Sequence, residues 1–166
     1  MKMLYYFVVD LPSKFHDEID FNGGKLALET KFNEFDHRVT QGEVVSVPHK
    51  FDTGVEPGDT LFFHHLVVIN GGMPFEGHEN KYLVSYDPRV AINSHAFAYQ
   101  PQGTDEVHPM TGWSILSSCF EDDLVSAMFE IVRTEEKLPT KGVVAYDSQE
   151  LQELGVEKGD TVGFKE

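Results

Sequence analysis

Gly54-Val55-Glu56-Pro57-Gly58-Asp59-Thr60-Leu61-Phe62-Phe63 and Gly155-Val156-Glu157-Lys158-Gly159-Asp160-Thr161-Val162-Gly163-Phe164 are two versions of one sentence. From the leading glycine through the threonine they agree at six of seven positions. Each is preceded by a related stretch, Thr40-Gln41-Gly42-Glu43-Val44-Val45 and Thr140-Lys141-Gly142-Val143-Val144-Ala145. From Gly42 to Gly142 the offset is 100, and from Gly54 to Gly155 it is 101, so the copies differ by one inserted residue. Self-similarity at a fixed period decides architecture before any single residue does. Two copies at a domain-sized period predict a tandem of two small folds, not a solenoid.

Each copy reads as strand, loop, turn, strand. Gly42–Val47 is β-branched and partly alternating, the pattern of a half-buried strand. Pro57-Gly58-Asp59 is a turn with a mechanism: proline presets the first corner, glycine tolerates positive φ, and aspartate bonds the backbone beside it. Lys158 replaces Pro57 in the second copy and weakens that turn. Working outward, strands are expected at Leu4–Val9, Leu61–Phe63 and Tyr82–Ser85, with a hairpin around Asn70-Gly71-Gly72 and a closing segment Val90–Tyr99. In the second copy Trp113–Phe120 and Lys141–Ala145 are the strand candidates. Glu121–Arg133 carries apolar residues at helical spacing. Ser148 caps a single helical turn that ends at Gly155.

This residue order resembles the co-chaperonin GroES family, whose members carry a G-x-V-x-x-V strand, a K-x-G-D-x-V-x-F turn and strand, and a loop containing Gly-Gly before them. The first copy covers that plan from Leu4 to Tyr99, with Pro12–Leu28 as the loop. The second matches to Phe164-Lys165-Glu166, short of a complete family unit. The resemblance implies an all-β fold of two tandem GroES-like, partly open β-barrels, the second incomplete. Residues 1–100 form the first barrel, 101–109 a linker rich in turn formers, and 110–166 the second, partial barrel. In that family the loop orders on a chaperonin ring and inserts a short aliphatic tripeptide into an apolar groove. The implied partner-binding residues here are Gly23, Gly24, Lys25, Leu26, Ala27 and Leu28, with Leu26-Ala27-Leu28 as the tripeptide. Lys25 stands where a bulky aliphatic is usual. The competing reading of the same segment is an ordinary hairpin over Lys25–Thr30 with both leucines facing the core.

Composition bounds the remaining classes. Thirteen Lys and Arg against twenty-eight Asp and Glu give a net charge of −15, which opposes binding to nucleic-acid phosphates or anionic membrane surfaces. No apolar run approaches a membrane span: Leu66–Ile69 is four residues and Met3–Val9 seven. The apolar start Leu4–Val9 ends at Asp10 with no small-residue cleavage site and reads as a strand. The single cysteine, Cys119, excludes an intrachain disulfide and suits a reducing, cytoplasmic setting.

Candidate chemistry is sparse. Gly77-His78-Glu79 resembles the Gly-His-Glu of zinc-dependent medium-chain dehydrogenases, which also contain a GroES-like domain. There, however, it precedes the G-x-V and G-D-x-V segments, and here it follows them without a G-x-G-x-x-G fingerprint. His64 and His65 are adjacent, and on a strand adjacent side chains point to opposite faces, so they cannot share one ion. Cys119 has no activating neighbour in sequence. The expectation is a protein without catalytic residues, metal or cofactor. It is read as a homo-oligomeric, co-chaperonin-like lid that binds a GroEL-like chaperonin ring and assists folding. The alternative is a non-enzymatic structural or assembly protein, for instance of a virus, that uses the barrels as an oligomerisation scaffold.

Overall fold

Short β-branched and aromatic runs separated by glycine, proline and aspartate turns leave little room for helix, and the chain folds accordingly. The computed structural model describes residues 3–11, 13–29, 37–69, 73–78, 80–90, 93–120, 137–146 and 148–164. It is mostly β: of the described residues 42% are in strands and 8% in helix. The strands are β1 Tyr6–Asp10, β2 Glu18–Phe21, β3 Gly24–Ala27, β4 Gln41–Ser46, β5 Thr60–Phe63, β6 Met73–Pro74, β7 Lys81–Ser85, β8 Ala96–Gln100, β9 His108–Pro109, β10 Ile115–Phe120, β11 Lys137–Tyr146 and β12 Thr161–Gly163. A 3₁₀ turn spans His65–Val68 and a short helix, α1, spans Gln149–Glu153. The chain divides into two units, Met1–Trp113 and Ser114–Glu166.

In the first unit seven antiparallel strands run in the order β6-β7-β1-β4-β5-β8-β9. Its core follows the period of two that strands impose. Phe7, Val9 and Leu11 of the first strand segment, Leu61 and Phe63 of β5, Val84 of β7, Tyr86 just after it, and Ala96 on β8 are all essentially solvent-free. Val8, on the other face of β1, is also buried. Segment 101–109, read from its turn formers as a linker, contributes β9, which pairs with β8, and the division between units falls after Trp113. Also in the first unit, β2 and β3 form a separate two-stranded sheet; in the second unit the order is β10-β11-β12. Among the described residues none of these sheets closes on itself.

The two copies of the repeat fold alike. Gly42 lies opposite Leu61 and Gly142 opposite Val162. Val44 donates its N–H to the Asp59 carbonyl at 2.8 Å, and Val144 to that of Asp160 at 2.9 Å. Gly58 and Gly159, at φ +100 and +95, return N–H bonds to the carbonyls of Val44 and Val144. Such φ values need a residue without Cβ. Asp59 accepts from Glu56 N–H at 2.8 Å, and Asp160 from Glu157 N–H at 2.9 Å. Even the bulge repeats. Val8 and Val9 face Ser46 and Val44, leaving Val45 extra, while Ile115 and Leu116 face Tyr146 and Val144, leaving Ala145 extra.

Several expected elements are found with shifted ends: Leu4–Val9 as β1, Gly42–Val47 as β4, Trp113–Phe120 as β10 and Lys141–Ala145 as the longer β11. The single turn of helix is α1, with the Ser148 hydroxyl accepting from Leu151 N–H and Gly155 at φ +73. The expected turn at Asn70-Gly71-Gly72 and the helical pattern at Glu121–Arg133 lie outside the described residues.

The strand glycines are tightly placed. A Cβ on Gly42 would collide with the Leu11 side chain and lie 2.9 Å from the Asp10 carbonyl oxygen. Gly42→Ala is therefore expected to destabilise the first unit by about 1–3 kcal/mol through overpacking, measurable by chemical denaturation. Asp59→Ala, which removes a buried carboxylate and leaves the Glu56 and Gln102 N–H groups without it as acceptor, should cost about 3 kcal/mol, and Asp160→Ala, exposed and accepting one such bond, about 1 kcal/mol. Equal losses would show that the two turns are not stabilised as described.

Candidate functional site

Within the expected loop Pro12–Leu28, residues 13–28 fold into an exposed hairpin. Its base is tied down by Val39 N–H to the Lys14 carbonyl at 3.0 Å, His16 N–H to the His37 carbonyl at 2.7 Å, and a bridge between Phe15 and Arg38. Above it β2 and β3 pair in the register Glu18–Ala27, Ile19–Leu26, Asp20–Lys25, Phe21–Gly24. The turn is Asn22-Gly23, with φ of +48 and +80. Two successive positive φ values define the tight turn whose twist matches paired strands, and Asn-Gly is its strongest sequence signal.

The resemblance implies Gly23 and Gly24 as part of the partner-binding loop. In the structure Gly23 makes the turn, and Gly24 opens β3 with the Phe21 carbonyl 3.7 Å from where its Cβ would stand. Lys25 reaches across to Glu18, 2.7 Å away, and that carboxylate raises the lysine's pKa. Leu28 donates its N–H to the Asp17 carbonyl at 2.7 Å and is half-buried.

Strand alternation then sorts the hairpin into two faces. Glu18, Asp20, Lys25 and Ala27 share one, while Ile19, Phe21, Gly24 and Leu26 share the other. Leu26-Ala27-Leu28 therefore does not present as one continuous tripeptide, since Ala27 belongs to the charged face. What the apolar face presents is a pair of strands: Ile19 is 44% exposed, Phe21 62% and Leu26 50%. Leu26 does not face the core. Ile19 and Phe21 lie on the incoming strand, whereas the resemblance marks only Gly23–Leu28. Their alternation with Glu18 and Asp20 ahead of Asn22-Gly23 marks them.

The histidines form a second cluster. His64 and His65 follow β5 instead of lying in it, so their rings come together, centroids 4.1 Å apart, contrary to the alternation expected of a strand. His95 stands 6.4 Å from His64 and its Nδ1 is 3.0 Å from the Ser85 hydroxyl. His64 Nδ1 accepts from Leu66 N–H, capping the 3₁₀ turn. Among the described residues no group of three or more His, Cys, Asp or Glu is placed to hold a metal ion. In the Gly77-His78-Glu79 segment, His78 stacks on Phe75 at 4.8 Å, while Glu79 lies outside the described residues, as does the side chain of Cys119. No helix among the described residues is long and apolar enough to cross a membrane.

Burial lowers the pKa of His65 and His95, and the neighbouring His64 charge adds to it, with Arg38 also acting on His65. The unfolded chain therefore takes up protons first, so stability is fully present above pH 6.5 and declines as pH falls below it. Thermal melts between pH 7 and pH 5 should show this decline, and His95→Gln should flatten it. Parallel curves for parent and variant would exclude His95 as a contributor.

Comparison with family models, with curated proteins and with solved structures returned no match.

Proposed function

We propose that this protein is a non-enzymatic, cytoplasmic, co-chaperonin-like lid subunit, built as a tandem of GroES-like partly open barrels with the second incomplete. It assembles into a homo-oligomeric ring and caps a chaperonin ring through its hairpins. The observation that carries this reading is the unshared apolar face of β2 and β3, Ile19, Phe21 and Leu26, held out on a two-stranded arm. The equivalence of the two repeats, down to the bulge and the carboxylate-closed turn, supports the tandem.

The energetics suit a releasable lid. Three side chains already about half-buried would gain about 1 kcal/mol each on docking, or about 3 kcal/mol per hairpin. Alone that is a weak contact. Repeated around a ring it becomes tight without any one arm being tight, and a modest change in the partner releases every arm together. The preformed turn also limits the ordering entropy that binding must overcome.

Native mass spectrometry of the chain alone, then with chaperonin and nucleotide, tests the proposal. A closed oligomer alone and a stoichiometric complex with the chaperonin are expected. Ile19→Ser combined with Leu26→Ser should leave the oligomer intact and lose about 2 kcal/mol per subunit in binding, enough to abolish capture. Undiminished capture by this variant would move the contact elsewhere. An oligomer that ignores the chaperonin would leave a scaffold role.

A further inference from the structure

Where β5 ends, three histidine rings gather around a turn with few bonds of its own. Val67 N–H bonds the His64 carbonyl at 3.0 Å, and Ile69 N–H reaches the Leu66 carbonyl at 3.3 Å. The cap is a side chain: His64 Nδ1 accepts the Leu66 N–H at 3.2 Å. This short turn holds Val67 and Val68 in the core, 0% and 3% exposed. The strand before it is tied separately, by Phe63 N–H to the Thr40 carbonyl at 2.8 Å and by His64 N–H to the His95 carbonyl at 2.9 Å.

Hydrogen-bond partners assign the ring protons. An imidazole nitrogen that accepts a backbone N–H carries no proton, so neutral His64 is protonated on Nε2. Ser85 has one hydroxyl proton and gives it to the Asn93 carbonyl at 2.9 Å. Its oxygen then accepts from His95 N–H at 3.2 Å and from His95 Nδ1 at 3.0 Å. Neutral His95 is therefore protonated on Nδ1, with Nε2 as its basic nitrogen. The two rings answer acid differently. His95 takes a proton on Nε2 and keeps its bond to Ser85. His64 can take one only on Nδ1, which turns the acceptor of the Leu66 N–H into a donor and removes the cap.

We propose that His64 is the latch of an acid-operated switch: protonated on Nδ1 it releases the Leu66 N–H, and the turn His65–Val68 opens while the seven-stranded sheet stays paired. The surroundings drive the same change. The His64 and His65 ring centroids are 4.1 Å apart, and His95 is 6.4 Å from His64. Burial disfavours charge on His65 and His95, and so do their neighbours: protonated His64 acts on both, and Arg38, from the segment before β4, acts on His65. Acid thus favours the state in which these rings are separated and hydrated. Opening brings Val67 and Val68 to water beside Leu66, already 40% exposed, so the response is a local gain of apolar surface at the end of β5. It differs from a general loss of stability in acid because it is confined to one turn and runs through one nitrogen. Neither the hairpin nor a lid role enters into it.

Amide hydrogen exchange of the full chain, followed by NMR and expressed as protection relative to an unstructured chain at the same pH, is the test. Between pH 7 and pH 5.5 protection at Leu66 and Val67 should fall about tenfold, with that at Val44 and Phe63 unchanged. His64→Asn puts an amide oxygen where Nδ1 stands, a capping acceptor that takes up no proton in this range. In that variant Leu66 and Val67 should keep their protection at both pH values. Loss at Val44 and Phe63 in step with Leu66, or a pH response unchanged in the variant, overturns the proposal. Should the variant not fold, nitrogen NMR of the imidazole rings in the parent at pH 8 decides. Protons on His64 Nε2 and His95 Nδ1 are expected, and a proton on His64 Nδ1 overturns the proposal.

Discussion

Everything in the repeat depends on one closed circuit of backbone hydrogen bonds. A valine in the middle strand donates to the aspartate carbonyl and accepts from the glycine N–H just before it. The aspartate carboxylate then locks the turn from inside by accepting the N–H three residues back. These bonds fix the register of middle and third strands, and register fixes faces, because a slip of one residue would turn every apolar side chain to solvent. The glycine is required by its φ, the aspartate by its carboxylate, and the valine by the core it enters. With that register set, β1 can lie on the other side of the middle strand only in close contact with Gly42.

Such a circuit is legible in sequence because its parts are local. The motif Gly-Val-Glu-x-Gly-Asp-Thr names the turn, and its repetition announced two like units. Strands with β-branched residues were found for the same reason, and Ser148 and Gly155 marked α1 through capping alone. What escaped was decided by partners distant in the chain. His108 and Pro109 look like linker until β8 offers them an edge. His64 and His65 looked strand-like until the 3₁₀ turn ended β5 beneath them. The hairpin was half legible: Asn22-Gly23 specified the turn, but whether Leu26 would be covered depended on what packs against it, which no local pattern states.

The hairpin and the core follow opposite rules in one chain. Large apolar side chains in the first unit are excluded from water on the scale of whole strands, while Ile19, Phe21 and Leu26 are kept in it on a strand pair that could have been folded down. The other face of the arm carries Glu18, Asp20 and Lys25, with Lys25 and Glu18 paired at 2.7 Å, so the arm is amphipathic and only its apolar side is suited to being covered.

The ends of the seven-stranded sheet bear on how the protein behaves in a crowded solution. β6 and β9 are two residues long, and each contains a proline, Pro74 and Pro109. Proline has no N–H to offer a neighbouring strand, and so short a run gives an incoming chain almost nothing to extend. The sheet is thereby stoppered at both flanks. Strand-on-strand growth from these two flanks, an ordinary hazard of β-rich proteins at high concentration, is disfavoured.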